Sequence, residues 1–204
     1  TGAPKAAERT HAHLEAQYTA LRDALSLEPG QVDLATLPIF VLANLARGLT
    51  TVLPDADLRR LAAVDPDPIL AQIDTERPTQ TSGSPAFYEC LLDADPDALT
   101  GFDRVATGGA PLFPDALQHF RDAAPDATIL AVYGSTEAEP IAHVAVDAIR
   151  EADWTAMREG HGLLAGRPVD EVQLRILPDR WGTPIGPFSA GEFEATSCPP
   201  GRTG

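Results

Sequence analysis

The chain has 204 residues, enough for one large domain or two small ones, and 44% of them are hydrophobic. Its 15 basic and 30 acidic residues give a formal net charge of −15, which disfavours nonspecific binding to nucleic acid or anionic membranes. No apolar run approaches the length that spans a bilayer and no signal peptide is visible, so membrane insertion is not expected. Cys90 and Cys198 have no CxxC spacing, and a reducing cytoplasm is the expected location.

The chain begins with small residues and a lysine: Thr1, Gly2, Ala3, Pro4 and Lys5. Backbone N–H groups and a lysine are the usual groups for holding phosphates, although a frayed end is the alternative. A helix follows, because four apolar residues recur at spacings of four, three and four. These are Leu14, Tyr18, Leu21 and Leu25. His11 and His13 lie near the start of this helix without a third ligand at helical spacing, so they are poor metal candidates.

Strand and helix signals alternate as far as residue 120. Strands are predicted at residues 32–37, 49–53 and 101–107, and helices at residues 41–47, after Asp67 and Ser84, and from Pro114 with Leu117 and Phe120 inward. Residues 79–84 superficially imitate a phosphate loop, but Ser84-Pro85 is typical of a helix cap, and we reject the phosphate interpretation. The alternation predicts a parallel sheet covered by helices on both faces.

A glycine-rich segment follows the predicted strand at residues 101–107. Gly108, Gly109 and Ala110 precede Pro111 there. Two glycines after a strand remove side chains where a flat ring or a phosphate can pack against the backbone. A tight turn from strand to helix is the alternative interpretation.

A second polar segment ends the predicted buried strand at residues 127–132. It consists of Tyr133, Gly134, Ser135, Thr136 and Glu137. Polar groups at the carboxyl end of such a strand face the crevice where open α/β sheets bind ligands. Gly134 permits close backbone approach, the hydroxyls can donate to phosphate oxygens, and Glu137 can hold Mg²⁺. An ordinary strand-to-helix turn with a threonine cap is the alternative.

The last third of the chain gives weaker signals. Glu139 and His143 are four residues apart, but Pro140 argues against a regular helix, and a structural or surface role is favoured for both. Residues 147–159 predict a helix whose Trp154 and Met157 pack on the preceding domain. Residues 171–176 alternate strictly between polar and apolar, which predicts a half-solvated strand.

Four segments, taken in order, resemble motifs of the adenylate-forming superfamily, which includes acyl-CoA synthetases, peptide-synthetase adenylation domains and luciferases. They are residues 1–5 with Thr10-His11, residues 37–40, residues 108–112 and residues 133–137. The resemblance implies an α/β fold with parallel sheets flanked by helices, running into a smaller β-subdomain. Residues 1–168 would form part of a nucleotide- and acyl-binding region, and residues 169–204 the start of the β-subdomain. The chain begins inside the first motif and lacks the family's carboxy-terminal lid, so we expect an internal fragment that is inactive alone.

The resemblance also implies a role for each matching residue. Thr1, Gly2 and Lys5 would contact phosphates, Thr136 the α-phosphate, and Glu137 a Mg²⁺ ion, with Lys5, Thr136 and Glu137 as the catalytic set. The adenine would lie against Gly108, Gly109, Ala110 and Tyr133, and Gly134 would also belong to the nucleotide site.

The implied activity is the activation of a carboxylic acid by ATP and Mg²⁺, which releases pyrophosphate and forms an acyl-adenylate. Transfer to CoA or to a carrier-protein thiol is the expected second step, with β-lactone formation from a β-hydroxy acid as an alternative. A noncatalytic nucleotide-binding or interaction module is the alternative from another class, while the absence of a GxGxxG motif argues against a Rossmann oxidoreductase. Many relatives carry a histidine or another aromatic residue after the phenylalanine of the second motif. This chain has Val41 there, with Asn44 as the nearest polar replacement.

Overall fold

The computed structural model describes residues 7–58, 64–199 and 201. Thr1, Gly2 and Lys5 of the predicted phosphate segment lie outside the described residues. The chain divides into two compact units, one ending at Glu171 and the other beginning at Val172. None of the helices in the described part of the chain is long and apolar enough to cross a membrane.

The first unit is built on one sheet, in which the described residues form seven strands. These are β1 (Val32–Ala35), β2 (Thr50–Val52), β3 (Gln80–Gly83), β4 (Arg104–Gly108), β5 (Thr128–Ser135), β6 (Ala138–Ala145) and β7 (Arg167–Pro168). Their spatial order is β2-β1-β3-β4-β5-β6-β7. The first five strands are parallel, whereas β6 and β7 are added antiparallel.

Helices cover both faces of the sheet. They are α1 (His11–Ala24), α2 (Pro38–Arg47), α3 (Asp67–Glu76), α4 (Pro85–Ala94), α5 (Pro114–Ala123) and α6 (Glu151–Arg158). Four of those in the described part of the chain, α2 to α5, connect the parallel strands. A short 3-10 helix, Val146–Ala148, precedes α6. The predicted fold class is confirmed: a mixed α/β domain with its sheet between helices.

Alternation along β5 shows how the two faces are filled. Ile129 and Ala131 belong to the larger core, together with buried residues of α3 to α6 that include Trp154 and Met157. Leu130 and Val132 belong to the smaller core, under α1 and α2. Successive strand residues point to opposite faces, so a sheet buried on both sides needs this continuous apolar run.

The ends of the predicted helices are largely confirmed. The Ser84 hydroxyl accepts a hydrogen bond from the Phe87 backbone N–H and caps α4. Gly48 ends α2 in the left-handed conformation at φ 84°, where glycine is favoured. Asp67 is the first residue of α3 rather than its cap, because the cap position is taken by Pro66, whose backbone is already helical at φ −75° and ψ −24°.

Strand β3, like β6 and β7, is an element that the sequence analysis did not predict. All four of its residues are buried although three are polar, and they occupy the segment that superficially imitates a phosphate loop. The Thr81 hydroxyl donates to the Leu34 carbonyl at 2.9 Å and the Ser82 hydroxyl donates to Asp33 at 3.1 Å. These side-chain hydrogen bonds offset the cost of burying polar groups in the middle of a sheet.

Asp33 is a buried carboxyl at the centre of this polar region, with 2% of its surface exposed. One of its oxygens accepts hydrogen bonds from the Asn44 amide at 2.6 Å and from Ser82. Burial raises the pKa of Asp33 to about 6, while the bonds from Asn44 and Ser82 and the charge of Arg104 oppose that rise. Asn44, the nearest polar residue to Val41 in the second motif, is itself buried and donates to Asp33; its role as a polar replacement stays a prediction.

The second unit contains a single helix among its described residues, α7 (Ala190–Thr196), capped by Ser189 and Glu192. Residues 171–176, where a strand is predicted, form no strand in the structure. Strict alternation favours a strand only where a neighbouring strand completes its hydrogen bonds, and the described residues of this unit provide none. That residues from 169 onward begin a β-subdomain stays a prediction.

We expect the buried carboxyl to make stability depend on pH. The folded pKa of Asp33 lies above the value of 3.8 for a free side chain, so protonation favours the native state. Its contribution is fully present below the unfolded pKa and is lost as the pH rises through about 6. The expected loss in free energy of unfolding is about 3 kcal/mol.

In Asp33→Asn, urea unfolding across this range should show a flatter pH dependence. The exposed Asp74→Asn control should keep the original slope, and an unchanged slope in Asp33→Asn would contradict the assignment.

Candidate active site

Strands β4 and β5 are neighbours in the middle of the sheet, and their carboxyl-terminal parts lie side by side. The two strands are paired in parallel with Gly108 opposite Val132. The next residues of the two segments, Gly109 after β4 and Tyr133 in β5, therefore lie next to each other. The structure thus brings together two of the sequence-predicted site segments, which begin 25 residues apart in the chain, at Gly108 and Tyr133.

Gly108 has a steric requirement for glycine. A Cβ atom built on it would lie 2.5 Å from the Val132 carbonyl oxygen, closer than real Cβ atoms approach such an atom. The next residue, Gly109, has φ +77° and is exposed. The backbone of β4 therefore packs directly against β5 as far as Gly108. The exposed backbone that follows, at Gly109 and Ala110, is called the ledge.

Tyr133 is the aromatic residue beside this ledge. Its side chain is 52% exposed, whereas Val132 immediately before it is buried. An exposed aromatic ring beside a backbone ledge without bulky side chains is suited to holding a flat ring between them.

The polar segment after Tyr133 is a β-hairpin, not the strand-to-helix turn that was one interpretation of the sequence. Strand β5 continues to Ser135, and Ser135 pairs with Ala138 of β6 in the antiparallel direction. The register shifts between Tyr133 and Ser135, so Gly134 lies at an irregularity in the ladder. Thr136 and Glu137 form the exposed tip of the hairpin.

Gly134 is a crowded position at this irregularity. A Cβ atom there would lie 3.0 Å from the Glu139 side chain and 3.3 Å from the Ala138 carbonyl oxygen. Glycine therefore lets the two arms of the hairpin approach each other next to the tip.

Arg9 is a residue that the sequence reasoning missed. Its Nη2 donates to the Thr136 backbone carbonyl at 2.5 Å and its Nη1 donates to the Gln17 side chain at 3.1 Å. The contact fixes the start of α1 beside the hairpin tip, 127 residues away in sequence. An isolated arginine ahead of a helix cap forms no recognisable pattern, so only the folded structure reveals this role.

Glu139 and His143 both lie on β6 rather than on a helix. Burial raises the pKa of Glu139, and the nearby charge of Arg9 opposes the shift. His143 pairs with Val132 on one side and with Arg167 on the other. On a strand, residues four apart are separated by about 13 Å, so these two side chains do not act as a pair.

Within the described residues no group of three or more His, Cys, Asp or Glu side chains is arranged to hold a metal ion. Glu137 nevertheless suits Mg²⁺ in another way. Mg²⁺ bound with a nucleotide usually takes one or two protein carboxylates and completes its coordination with phosphate oxygens and water. A single exposed carboxylate at the hairpin tip is compatible with that arrangement.

The fold and this arrangement together define a class: an α/β domain with a candidate ligand site at the carboxyl ends of adjacent parallel strands. The model of the family described as AMP-binding enzyme matches residues 1–195. The chain belongs to this family.

Three curated relatives are similar to large parts of the chain. The olefin beta-lactone synthetase of Xanthomonas campestris is 36% identical over 178 residues, which cover 87% of this chain and 32% of that protein. The olefin beta-lactone synthetase of Stenotrophomonas maltophilia is 37% identical over 180 residues, with the same coverage of 87% and 32%. The 4-coumarate–CoA ligase-like 2 of Arabidopsis thaliana is 29% identical over 95% of the chain and 34% of that protein. The chain thus spans about a third of the length of these relatives.

Solved structures of similar fold include the ATP bound RpMatB-BxBclM chimera B1. It is 26% identical, with a TM-score of 0.63, over 88% of this chain and 34% of that one. Apo MatB from Rhodopseudomonas palustris is 24% identical, with a TM-score of 0.64, over 91% of this chain and 36% of that one. The second likeness supports the fold alone.

The close approach at Gly108 predicts a specific loss of stability. Gly108→Ala forces its Cβ against the Val132 carbonyl, and separating β4 from β5 should cost about 1–3 kcal/mol of unfolding free energy. Urea unfolding measures this cost. Gly191→Ala is the matched control, because nothing lies within 4 Å of the added Cβ and its φ is not positive. Equal stability of the two variants would contradict the proposed contact.

Proposed function

We propose that the full-length protein activates a carboxylic acid with ATP, forming an acyl-adenylate and releasing pyrophosphate. The observation that carries this proposal is the meeting of residues 108–110 with residues 133–137 at one sheet edge, in a chain of the AMP-binding enzyme family. A noncatalytic module would have no chemical need for Lys5, Thr136 and Glu137 together.

The chemistry explains what the site has to provide. A carboxylate is a poor electrophile because its charge resists attack and oxide is a poor leaving group. When a carboxylate oxygen attacks the α-phosphorus of ATP, pyrophosphate leaves, and the acid acquires a phosphate ester as its new leaving group. The protein must align the carboxylate with the α-phosphate and offset the negative charge that accumulates there.

The adenine is assigned to the ledge between the two strands. Tyr133 would stack on one side of the ring, with the backbone of Gly108, Gly109 and Ala110 on the other. The exposure of Tyr133 and the exposed backbone at Gly109 support this assignment. Gly134, next to Tyr133, would also belong to the nucleotide site, where a residue without a side chain permits close backbone approach.

The phosphates are assigned to the hairpin tip and the amino-terminal segment. Thr136 would donate its hydroxyl to the α-phosphate, while Lys5 with the backbone of Thr1 and Gly2 would contact the remaining phosphates. Arg9 follows Lys5 by four residues in sequence and contacts the Thr136 carbonyl, which supports bringing these segments together. Glu137 would hold Mg²⁺, which when bound polarises the phosphate oxygens. A similar structure with bound ATP also supports ATP as the nucleotide.

For the second step we favour β-lactone formation from a β-hydroxy acid over thioester formation with CoA or a carrier protein. Two relatives at 36% and 37% identity are olefin beta-lactone synthetases, whereas the CoA ligase-like relative is 29% identical. In the favoured step, the β-hydroxyl oxygen attacks the acyl carbonyl carbon and gives up its proton to solvent, and AMP leaves with the electrons of the broken bond between that carbon and the phosphate oxygen.

Replacing Glu137 by glutamine tests the proposed metal ligand. The amide keeps the shape of the side chain but removes its charge, so Mg²⁺-dependent ATP–pyrophosphate exchange should fall about a hundredfold or more. The measurement uses the full-length protein with a panel of fatty, β-hydroxy, aryl and amino acids. Glu151→Gln, an exposed glutamate in the first turn of α6, should exchange like the unaltered protein. Unchanged exchange in Glu137→Gln would remove Glu137 from the mechanism.

The second step can be tested by omitting thiol acceptors. With ATP, Mg²⁺ and a β-hydroxy acid alone, we expect AMP release together with a product that has lost one water relative to the acid. The matching acid without the β-hydroxyl should give exchange without that product. If mass spectrometry finds product only when CoA is supplied, and finds a thioester, the β-lactone proposal is wrong while adenylation stands.

A further inference from the structure

The tip of the β5–β6 hairpin lies beyond the regular part of the sheet. After the irregularity at Gly134, Ser135 pairs with Ala138, and only Thr136 and Glu137 lie between them. Neither tip residue has a positive φ, whereas the favoured two-residue hairpin turns require a positive φ at one or both positions. The turn is therefore not of the kind that best holds its own shape, and contacts from outside the hairpin help to decide where the tip lies.

One such contact comes from Arg9, whose Nη2 donates to the Thr136 carbonyl at 2.5 Å. This carbonyl belongs to the peptide group that joins Thr136 to Glu137. Because a peptide group is planar, holding its oxygen limits the orientation of the backbone on both sides. One hydrogen bond therefore orients the two residues that are assigned to the α-phosphate and to Mg²⁺.

Arg9 is itself held from the side of α1. Its Nη1 donates to the side-chain oxygen of Gln17 at 3.1 Å, and Gln17 is only 5% exposed. Since a guanidinium group is planar and rigid, bonds from two of its nitrogens fix its plane as well as its position. Gln17, Arg9 and the Thr136 carbonyl thus form a continuous connection, which we call the Arg9 tether.

The inner end of the Arg9 tether is a well-packed helix. Gln17 lies on α1, whose Leu21 is buried in the smaller core. Directly after Arg9, the Thr10 hydroxyl caps α1 by accepting a hydrogen bond from the His13 backbone N–H at 3.2 Å. This cap fixes the backbone next to Arg9. Because groups held by a helix are placed more precisely than groups on a loop, the tether gives the exposed tip some of the order of α1.

We propose that Arg9 is a positioning residue for adenylation, which orients the peptide between Thr136 and Glu137 through its two hydrogen bonds. This inference rests on the proposed function for the roles of Thr136 and Glu137. It adds that their alignment with the α-phosphate depends on α1, and that the bonds of Arg9 contribute more than its charge alone.

The division of the effect between kcat and KM tests this role. In the full-length protein, Arg9→Met should lower the maximal rate of ATP–pyrophosphate exchange about tenfold to a hundredfold, because a misplaced tip loses its alignment in the transition state. The KM for ATP should change by less than about threefold, since the ledge assigned to adenine is unaltered. An unchanged maximal rate, or a loss confined to KM, would overturn the proposal.

Arg22→Met is the matched control for this measurement. Arg22 lies in the last turn of the same helix and forms an ion pair with Asp23. This variant should exchange pyrophosphate like the unaltered protein. An equal loss of rate in both variants would show a general effect of removing an arginine from this region and would overturn the specific role of Arg9.

Two further variants separate bonding from charge. Gln17→Met removes the acceptor for Nη1 but leaves the charge of Arg9, and should lower the maximal rate about threefold or more. Added to Arg9→Met, the same change should cost little, because the two side chains act as one unit. Arg9→Lys keeps the charge without the planar fork and should recover only part of the rate. Full rates in both Gln17→Met and Arg9→Lys would show that charge alone matters and would overturn the proposal.

A measurement without substrate separates this proposal from the proposed function. Amide hydrogen exchange, followed by mass spectrometry, should be about fivefold faster at residues 133–139 in Arg9→Met than in Arg22→Met, as expected for the loss of one hydrogen bond. Circular dichroism checks folding, and Arg9→Lys takes the place of Arg9→Met if the latter does not fold. Equal amide exchange would overturn the tether even where adenylation is normal. Faster amide exchange, in a protein that exchanges pyrophosphate with no acid, would support the tether and refute adenylation.

Discussion

The close approach of β4 and β5 at Gly108 is the constraint on which the candidate site depends. Only a residue without a Cβ leaves room for the Val132 carbonyl oxygen at the point where β4 ends. Because the strands are parallel and in this register, Gly109 lies beside Tyr133, which is still paired with Ala142 in the sheet. This one backbone contact therefore places the ledge next to the exposed ring.

Buried hydrogen bonds, as well as apolar packing, hold the helices against the strands of the sheet. Tyr88, fully buried on α4, donates its hydroxyl to the Ala106 carbonyl of β4 at 2.9 Å. On the opposite face Asn44 of α2 donates to Asp33 of β1. These bonds tie helices on both faces to particular strand positions, which sliding apolar contacts alone would not specify. The second half of α2, which contains Asn44, is thereby fixed relative to β1.

Much of the fold could be predicted because its signals are local. The i, i+3, i+4 pattern of α1, the Ser84-Pro85 cap and the apolar run of β5 each depend on neighbouring residues. What the sequence concealed depends on partners far away in the chain. Strand β3 is polar and becomes a strand because β1 and β4 flank it, while residues 171–176 alternate but have no flanking strand. Likewise the motif residues of the site could be recognised, whereas Arg9 could not, since its partner is 127 residues away.

The hairpin at residues 133–137 changes how an anion can be held there. At a strand-to-helix turn, the free N–H groups and the dipole of the helix attract phosphate. An antiparallel hairpin has no comparable dipole, and here it belongs to a chain with a net charge of −15. If the tip holds nucleotide phosphates as proposed, the attraction must come from discrete cations rather than from a helix dipole. Arg9, which contacts the Thr136 carbonyl, is a basic side chain beside the tip, and Glu137 is a carboxylate that would hold a Mg²⁺ ion there. The proposal therefore makes the start of α1 part of the site.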